Sequence, residues 1–220
     1  MANKKPNHPR NFPTLKRGLQ RFQSERLTRT YVDLKADSQY AAIGDFFFTR
    51  LYAPEDFSFR NTSIKSLQHA LKGRVYRPMT SAMTKVVELH ELSDHLDDLM
   101  VEKMLKHKFG PRLTLDQYQT IYRRMGNNDQ RVHQINLTID TTREFYRLSQ
   151  KWVVALSLKT VNIASHFLNI GEIMSFINEG YTAFQKIKKI DYFIDTIFER
   201  EMAWHHQLLK ETPVKKGRTR

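Results

Sequence analysis

Cysteine is absent from the sequence, and its absence removes several kinds of chemistry. Disulfide bonds, thiolate nucleophiles and cysteine-ligated zinc or iron–sulfur centres are all excluded. Glycine and proline are sparse, with eight and seven copies in 220 residues, which favours helices over a turn-rich β architecture. The sequence also has no Gly-x-Gly phosphate loop, no Ser-His-Asp order and no nucleophile elbow, so we do not expect a nucleotide-dependent enzyme.

Long apolar runs are missing too. Residues 1–10 are basic and polar, whereas a secretory signal needs about 7–15 consecutive apolar residues. The most apolar window runs from Trp152 to Ile170, but it contains Lys159, which would be costly inside a bilayer. We interpret this window as a buried helix, with a membrane-associated segment as the alternative. The expectation is therefore a cytoplasmic protein with no transmembrane segment.

The residues that are present suit one helical domain. Apolar residues recur at helical spacing along most of the chain. The clearest run lies between about Ser81 and His107, where four leucines from Leu89 to Leu99 share one face and acidic residues occupy the other, which we expect to be solvated. The sequence predicts a single compact all-α domain of about eight or nine helices over residues 15–210. Flexible basic termini at residues 1–14 and 211–220 flank it.

Capping residues and helix breakers set the expected boundaries of these helices. Ser38 is the N-cap candidate of a helix that runs to about residue 52, and Thr114 and Asp129 are the candidates for two later helices. Gly110 and Gly126 are expected to end the helices that precede them. A further helix is predicted to begin near residue 61 and to end at residue 73.

The net charge of +13 is concentrated near the two ends of the chain. Residues 1–35 contain nine Lys or Arg against two acidic residues, residues 205–220 contain five against one, and the other 169 residues carry only +2. Basic tails neutralise phosphates and release their counterions, which predicts a polyanion partner, with RNA or the ribosome as the first candidate. No recognisable RNA-binding motif accompanies them, and the alternative is that the tails only provide solubility. The predicted contact residues are Lys4, Lys5, Arg10, Lys16, Arg17, Arg21, Lys215, Lys216, Arg218 and Arg220.

Two histidine-containing segments invite comparison with metal sites. Glu91 and His95 are four residues apart, and so are Glu201 and His205, which places each pair on one helix face. His90 and His95 are five apart, so the zincin pattern is not met. A di-metal bundle would need a second Glu-x-x-His motif, which we do not find. We expect solvated histidines at both places, with no metal, no cofactor and no catalytic residue.

A run of aromatic residues is predicted to cover most of a helix circumference. It consists of Phe46, Phe47, Phe48, Leu51 and Tyr52. A central helix buried on several sides is the preferred interpretation. The alternative is that one flank lines a pocket or a subunit interface, where the Tyr52 hydroxyl would need a polar partner.

Two consecutive arginines, Arg123 and Arg124, precede the predicted helix end at Gly126. They either favour the helix C-terminus electrostatically or bind an anion. Because Asp129 and Arg131 are close in sequence, an intramolecular salt-bridge network is the preferred interpretation. Structural polar contacts of the same kind are expected for Arg26, Asp33 and Asp56.

Residues 46–52 resemble the signature of the bacterial FFLEELY motif proteins. Residues 122–126 and 176–181 resemble two further blocks of that family, so the likeness spans roughly residues 25–202. The two acidic positions of the motif are Thr49 and Arg50 here, and its first leucine is Phe48, so a role that needs those acids is not expected. The resemblance implies one helical domain from a bacterium and no particular chemistry. It also implies that the basic tails lie outside the family region.

The leading hypothesis is a non-enzymatic helical binding protein whose basic termini contact a polyanion. A second hypothesis is a helical protein with an internal pocket for an apolar ligand or cofactor, which would allow an enzyme. A third is a structural protein that forms a homodimer through an apolar face. The sequence favours a binding protein over an enzyme without deciding between them.

Overall fold

The computed structural model describes residues 9–47, 77–151 and 171–210. Within these three ranges the chain is 83% helical, with eight helices and no strand, so the predicted all-α fold is confirmed. The predicted helix over residues 61–73 and the apolar window over residues 152–170 lie outside the described ranges. The helices are α1 (Phe12–Thr30), α2 (Val32–Ala36), α3 (Ala41–Asp45), α4 (Arg77–Lys106), α5 (Leu115–Met125), α6 (Asn128–Ser149), α7 (Gly171–Gln185) and α8 (Ile190–Leu209).

Helix α6 lies at the centre of the packing. It contacts α4, α7 and α8, while α4 also packs against α1 and α5. The short helix α5 bridges α4 and α8, and α3 packs against α7. The helices therefore form a single compact domain in which α1 and α8, at opposite ends of the described sequence, are joined through α4, α5 and α6.

Two apolar clusters form the core. The terminal core comprises Phe12, Leu15, Leu19, Met100, Val101, Met104, Tyr118, Ile121, Tyr122 and Leu208. The distal core comprises Leu27, Tyr31, Leu34, Tyr40, Ile43, Phe47, Ile139, Ala183, Phe184, Ile187, Ile190, Phe193, Ile194 and Ile197. Because α1 and α8 contribute residues to both clusters, the two cores follow one another along these helices.

The boundaries of α5 agree with the local sequence chemistry. Thr114 Oγ1 accepts a hydrogen bond from the backbone N–H of Gln117 at 3.3 Å, and Gln117 Oε1 accepts one from the backbone N–H of Thr114 at 3.0 Å. This reciprocal capping box satisfies two backbone donors that would lack helical partners. At the other end, Gly126 has a φ of 67°, a left-handed conformation that costs glycine little.

Two of the predicted N-caps are wrong. Ser38 lies in a turn, and α3 begins at Ala41 with no side-chain cap, so the helix starts later than expected. Asp129 lies inside the first turn of α6, which follows Asn127. A carboxylate in a first turn still favours the helix electrostatically, which explains why the residue looks like a start signal.

The ends of α4 and α1 also differ from expectation. Helix α4 begins at Arg77, four residues before the expected Ser81, and ends at Lys106, beside the expected His107. Lys108 adopts the left-handed conformation with a φ of 56°, so the helix is already broken before Gly110. Helix α1 begins at Phe12, three residues before the expected start, with Pro13 in its first turn. Proline suits that position because its missing N–H would have no helical partner there.

Candidate functional site

The start of α1, the loop after α4 and the end of α8 meet at one end of the molecule. Phe12 and Leu208 belong to the same terminal core, and Gln119 donates a side-chain hydrogen bond to the carbonyl of Lys210 at 3.0 Å. Gly18 approaches the chain so closely that a Cβ there would lie 2.1 Å from the carbonyl oxygen of Pro111. We call this region, formed by residues 9–22, 102–126 and 203–210, the basic end.

The charge of the basic end accounts for the charge of the whole chain. Residues 1–8 and 211–220 are joined directly to it, and with these tails its segments hold 17 Lys or Arg against three Asp or Glu. That net charge of +14 compares with +13 for the entire sequence, so the rest of the chain is nearly neutral. Tails that are far apart in sequence are therefore attached to the same surface.

The predicted polyanion contacts fall into two groups at this end. Arg10, Arg17 and Arg21 are exposed, and Arg17 donates a long 3.4 Å hydrogen bond to Thr14 Oγ1. Lys16 differs, because its Nζ lies 2.6 Å from Oδ1 of both Asp94 and Asp98 and fastens α1 to α4. The other predicted contacts lie outside the described residues, namely Lys4, Lys5, Lys215, Lys216, Arg218 and Arg220.

Arg123 and Arg124 also lie at the basic end. Arg123 donates a hydrogen bond to the carbonyl of Lys210 at 3.3 Å, and Arg124 Nη1 lies 3.1 Å from Nε2 of His107. In the described part of the chain, neither forms an ion pair with Asp129, and Arg131 lies elsewhere in the interior. The predicted salt-bridge network is therefore wrong, and the two arginines add to the basic surface.

The sequence alone does not identify several other basic residues as part of this surface. Lys106, Lys108 and Arg112 are exposed on the segment that leads from α4 to α5. Beside them the rings of His107 and Phe109 stack with centroids 5.5 Å apart. These residues belong to a stretch that is nearly neutral when charge is summed along the sequence, so only the fold reveals that they join the tails.

A layer of polar side chains lies where the terminal and distal cores meet, and three tyrosines of those cores belong to it. We call it the polar centre, and its members come from α1, α4, α5, α6 and α8 together with Tyr31, which follows α1. It contains two arginines that are largely removed from solvent. Its residues are Gln20, Gln23, Arg26, Tyr31, Asp97, Tyr118, Tyr122, Arg131, Glu201 and His205.

Arg26 is fully engaged in this layer. Its Nη1 bonds Glu201 Oε1, and its Nη2 donates to Glu201 Oε2 at 2.8 Å. The Tyr31 hydroxyl donates to Glu201 Oε1 at 2.7 Å, and the guanidinium lies 5.4 Å from the ring centroid of Trp204. Burial lowers the pKa of Arg26, but the Glu201 carboxylate outweighs burial and raises that pKa above its usual value. The predicted structural role of Arg26 agrees with this contact.

Arg131 is engaged much less completely. Its side chain is buried, with the residue 5% exposed. Nη1 donates to Gln134 Oε1 at 3.1 Å, Nη2 lies 2.9 Å from the sulfur of Met100, and Nε has no hydrogen-bond partner. The guanidinium carbon lies 5.1 Å from the ring centroid of Tyr122. No carboxylate in the described ranges forms an ion pair with it.

Asp97 lies on the face of α4 that was expected to be solvated, yet it is buried. The side-chain amides of Gln20 and Gln23 donate to its two oxygens at 3.3 Å and 3.1 Å. Burial raises the pKa of Asp97, and the attraction of Arg131 and the glutamine hydrogen bonds oppose that rise without cancelling it. The acidic face of α4 is therefore partly an interior surface.

His205 and Tyr122 form a buried pair. The Tyr122 hydroxyl lies 2.7 Å from Nδ1 of His205, which is 3% exposed, so the predicted solvated histidine is wrong at this position. Burial lowers the pKa of His205, and the nearby His206 and Arg131 lower it further. Burial also raises the pKa of the Tyr122 hydroxyl above its usual value. Both side chains are accordingly neutral at physiological pH.

Comparison with family models identifies the family. A model described as "Domain of unknown function (DUF8198)" matches residues 2–215. The chain belongs to the DUF8198 family. The match extends beyond the expected range of residues 25–202 and covers nearly all of the N-terminal tail and residues 211–215, half of the C-terminal one. The expectation that both basic tails lie outside the family region is therefore wrong for the N-terminal tail. No curated protein and no solved structure matches the chain.

The aromatic run of this DUF8198 chain is described only at its start. Phe47 is buried in the distal core, and Phe46 is half-buried against Gly180, where an added Cβ would lie 2.8 Å from the Phe46 ring. Phe48, Leu51 and Tyr52 lie outside the described residues. No helix in the described ranges of this chain is long and apolar enough to cross a membrane. The same ranges contain no group of three potential metal-ligating side chains.

Proposed function

We propose that this DUF8198 chain is a bacterial, cytoplasmic binding protein whose basic end binds RNA. The observation that carries the proposal is that residues 9–22 and 203–210, to which the two basic tails are joined, meet at the surface that bears the exposed arginines of α1. That surface and its tails hold the whole net charge of the chain. The resemblance to the FFLEELY motif proteins belongs to the same proposal and supports the bacterial source.

Concentrated positive charge favours a phosphate backbone for a simple physical reason. Each phosphate that a Lys or Arg neutralises releases condensed counterions, and this release drives binding. Arg10, Arg17 and Arg21 have no carboxylate ion-paired to them in the described ranges, so their charge is available. The nearby rings of His107 and Phe109 are half-buried and stacked, and unpaired bases stack on such rings. Single-stranded RNA fits this combination of charge and aromatic surface.

The test is RNA affinity as a function of salt, measured by fluorescence anisotropy with a labelled single-stranded 20-mer. We expect log K to fall linearly with log salt. The variant Arg17→Gln/Arg21→Gln should reduce the magnitude of the slope by about 1.4, because each contact to a single strand contributes about 0.7. Glutamine has a helix propensity close to that of arginine, so α1 should remain intact.

A matched control removes two positive charges next to the N-terminus of α8, far from the basic end, which contains the C-terminus of that helix. Lys186 and Lys188 are exposed just before α8, whose 20 residues span about 30 Å. The variant Lys186→Gln/Lys188→Gln should leave the slope unchanged. Equal slopes for the two double variants would overturn the basic end as the binding surface. Equal affinity for DNA of the same sequence would reject RNA as the preferred ligand.

A further inference from the structure

The two arginines of the polar centre, half-buried Arg26 and buried Arg131, differ in what holds them. Arg26 makes two bonds to a carboxylate, whereas Arg131 reaches one amide oxygen and one thioether sulfur. A thioether is a weak hydrogen-bond acceptor, and the Nε of Arg131 has no acceptor among the described residues. Arg131 is therefore a buried charge that no group of the described chain neutralises directly.

Such an arrangement is costly unless something completes it. Removing a guanidinium from water loses several kcal/mol of hydration, and a bonded counterion normally offsets that loss. The nearest candidate within the protein is Asp97, but both of its oxygens accept from glutamine amides instead. Burial also raises the pKa of Asp97, which disfavours its charged form. The residual positive charge belongs to Arg131.

We propose that the polar centre is a binding site for a small oxyanion, the carboxylate or phosphate group of a small-molecule ligand, which the Arg131 guanidinium holds. A guanidinium presents its donors as a rigid planar fork that matches these two groups. Neutral Tyr122 and His205 lie beside it and add polar surface without competing charge. This site is separate from the basic end and does not depend on RNA binding.

The direct test is the Nε–H resonance of Arg131 in the ¹⁵N-labelled full-length protein, assigned by triple-resonance NMR. Potassium phosphate and potassium acetate are titrated separately at constant ionic strength, with chloride as the replaced anion. We expect the Arg131 signal to shift and saturate with one of the two probes, which identifies the group that is bound. The Arg26 signal, whose guanidinium is already paired, should not move. Equilibration must be allowed for, because a buried site opens only through local fluctuations.

A second measurement separates this site from the basic surface. Phosphate or acetate at constant ionic strength should raise the thermal midpoint of the wild type according to mass action. Arg131→Met should reduce the apparent affinity about tenfold or more, because it removes the charge-assisted bonds. Arg17→Gln/Arg21→Gln should retain the full response. An Arg131 Nε–H signal that neither probe shifts, or equal midpoint gains in wild type and Arg131→Met, would overturn the proposal.

Discussion

Arg26 and Arg131 occupy the same polar layer, yet their guanidinium groups are held in two different ways. The guanidinium of Arg26 is closed by Glu201, which the Tyr31 hydroxyl supports, and it lies against Trp204. That of Arg131 is left open at Nε and rests on a sulfur and an aromatic ring. The Arg26–Glu201 ion pair stabilises one packing of the helices. The guanidinium of Arg131, which has no bonded carboxylate, reduces stability but can bind an anion. The layer therefore combines a structural contact with a site that suits a ligand.

The largest expected effect comes from replacing each arginine by methionine. Arg26→Met leaves the half-buried carboxylate of Glu201 without its counterion and should destabilise the protein by about 2–3 kcal/mol. Arg131→Met leaves no bonded carboxylate behind and restores apolar volume, so its change should lie within about 1 kcal/mol of wild type. Urea unfolding followed by circular dichroism at 222 nm measures both free energies of unfolding without added ligand. Equal losses in the two variants would mean that Arg131 is as structural as Arg26.

A smaller effect is expected on the pH dependence of stability, and it comes from Asp97, the acidic residue near Arg131. Because the pKa of Asp97 is raised in the folded protein, the native state retains a proton that the unfolded chain loses above its usual value of 3.8. The stability that this residue contributes is present below that pH and is lost as pH rises through the folded pKa. Asp97→Asn does not titrate, so its free energy of unfolding relative to wild type should rise between pH 4 and pH 7.

Urea unfolding of wild type and Asp97→Asn at each whole pH unit checks this sign. A difference that stays flat or falls over this pH range would show that Asp97 is charged in the folded protein. Asp97 would then serve as the counterion of Arg131, and the contrast between the two arginines would largely disappear.

Local chemistry explains which parts of this fold could be predicted. The limits of α5 follow from Thr114 and Gly126, whose capping and left-handed conformation depend on neighbours in sequence. The helical character of α4 follows from its apolar periodicity. Its actual buried face, however, includes Asp97 and Met100 beside Leu96, and a leucine pattern alone does not show that. Gln20 and Gln23 make burial of the carboxylate tolerable, and they lie on a helix that is distant in sequence.

The candidate site was less predictable for the same physical reason. His205 looks like a solvated residue near a helix end, and its burial depends on Tyr122, which is 83 residues away in the sequence. The meeting of residues 9–22 and 203–210, to which the basic tails are joined, depends on how α1, α5 and α8 pack around the terminal core. Arg26 follows Glu25 and Glu201 follows Glu199 and Arg200, so neither stands out in the sequence as a residue that leaves solvent. Such residues need a partner, but the sequence does not reveal which one.

The smallest expected loss of stability concerns the exposed ion pair between Arg200 and Asp33. Arg200 donates to the two oxygens of Asp33 at 2.7 Å and 2.6 Å, and this bonding lowers the pKa of Asp33 to about 2. The stabilisation is present above the unfolded pKa of 3.8 and is lost as pH falls towards 2. Because solvent screens this exposed pair, Asp33→Asn should cost less than about 1 kcal/mol at pH 7, and 1 M salt should remove most of that cost. Urea unfolding at low and high salt measures it, and a loss as large as that of Arg26→Met would show that burial is not what separates the two pairs.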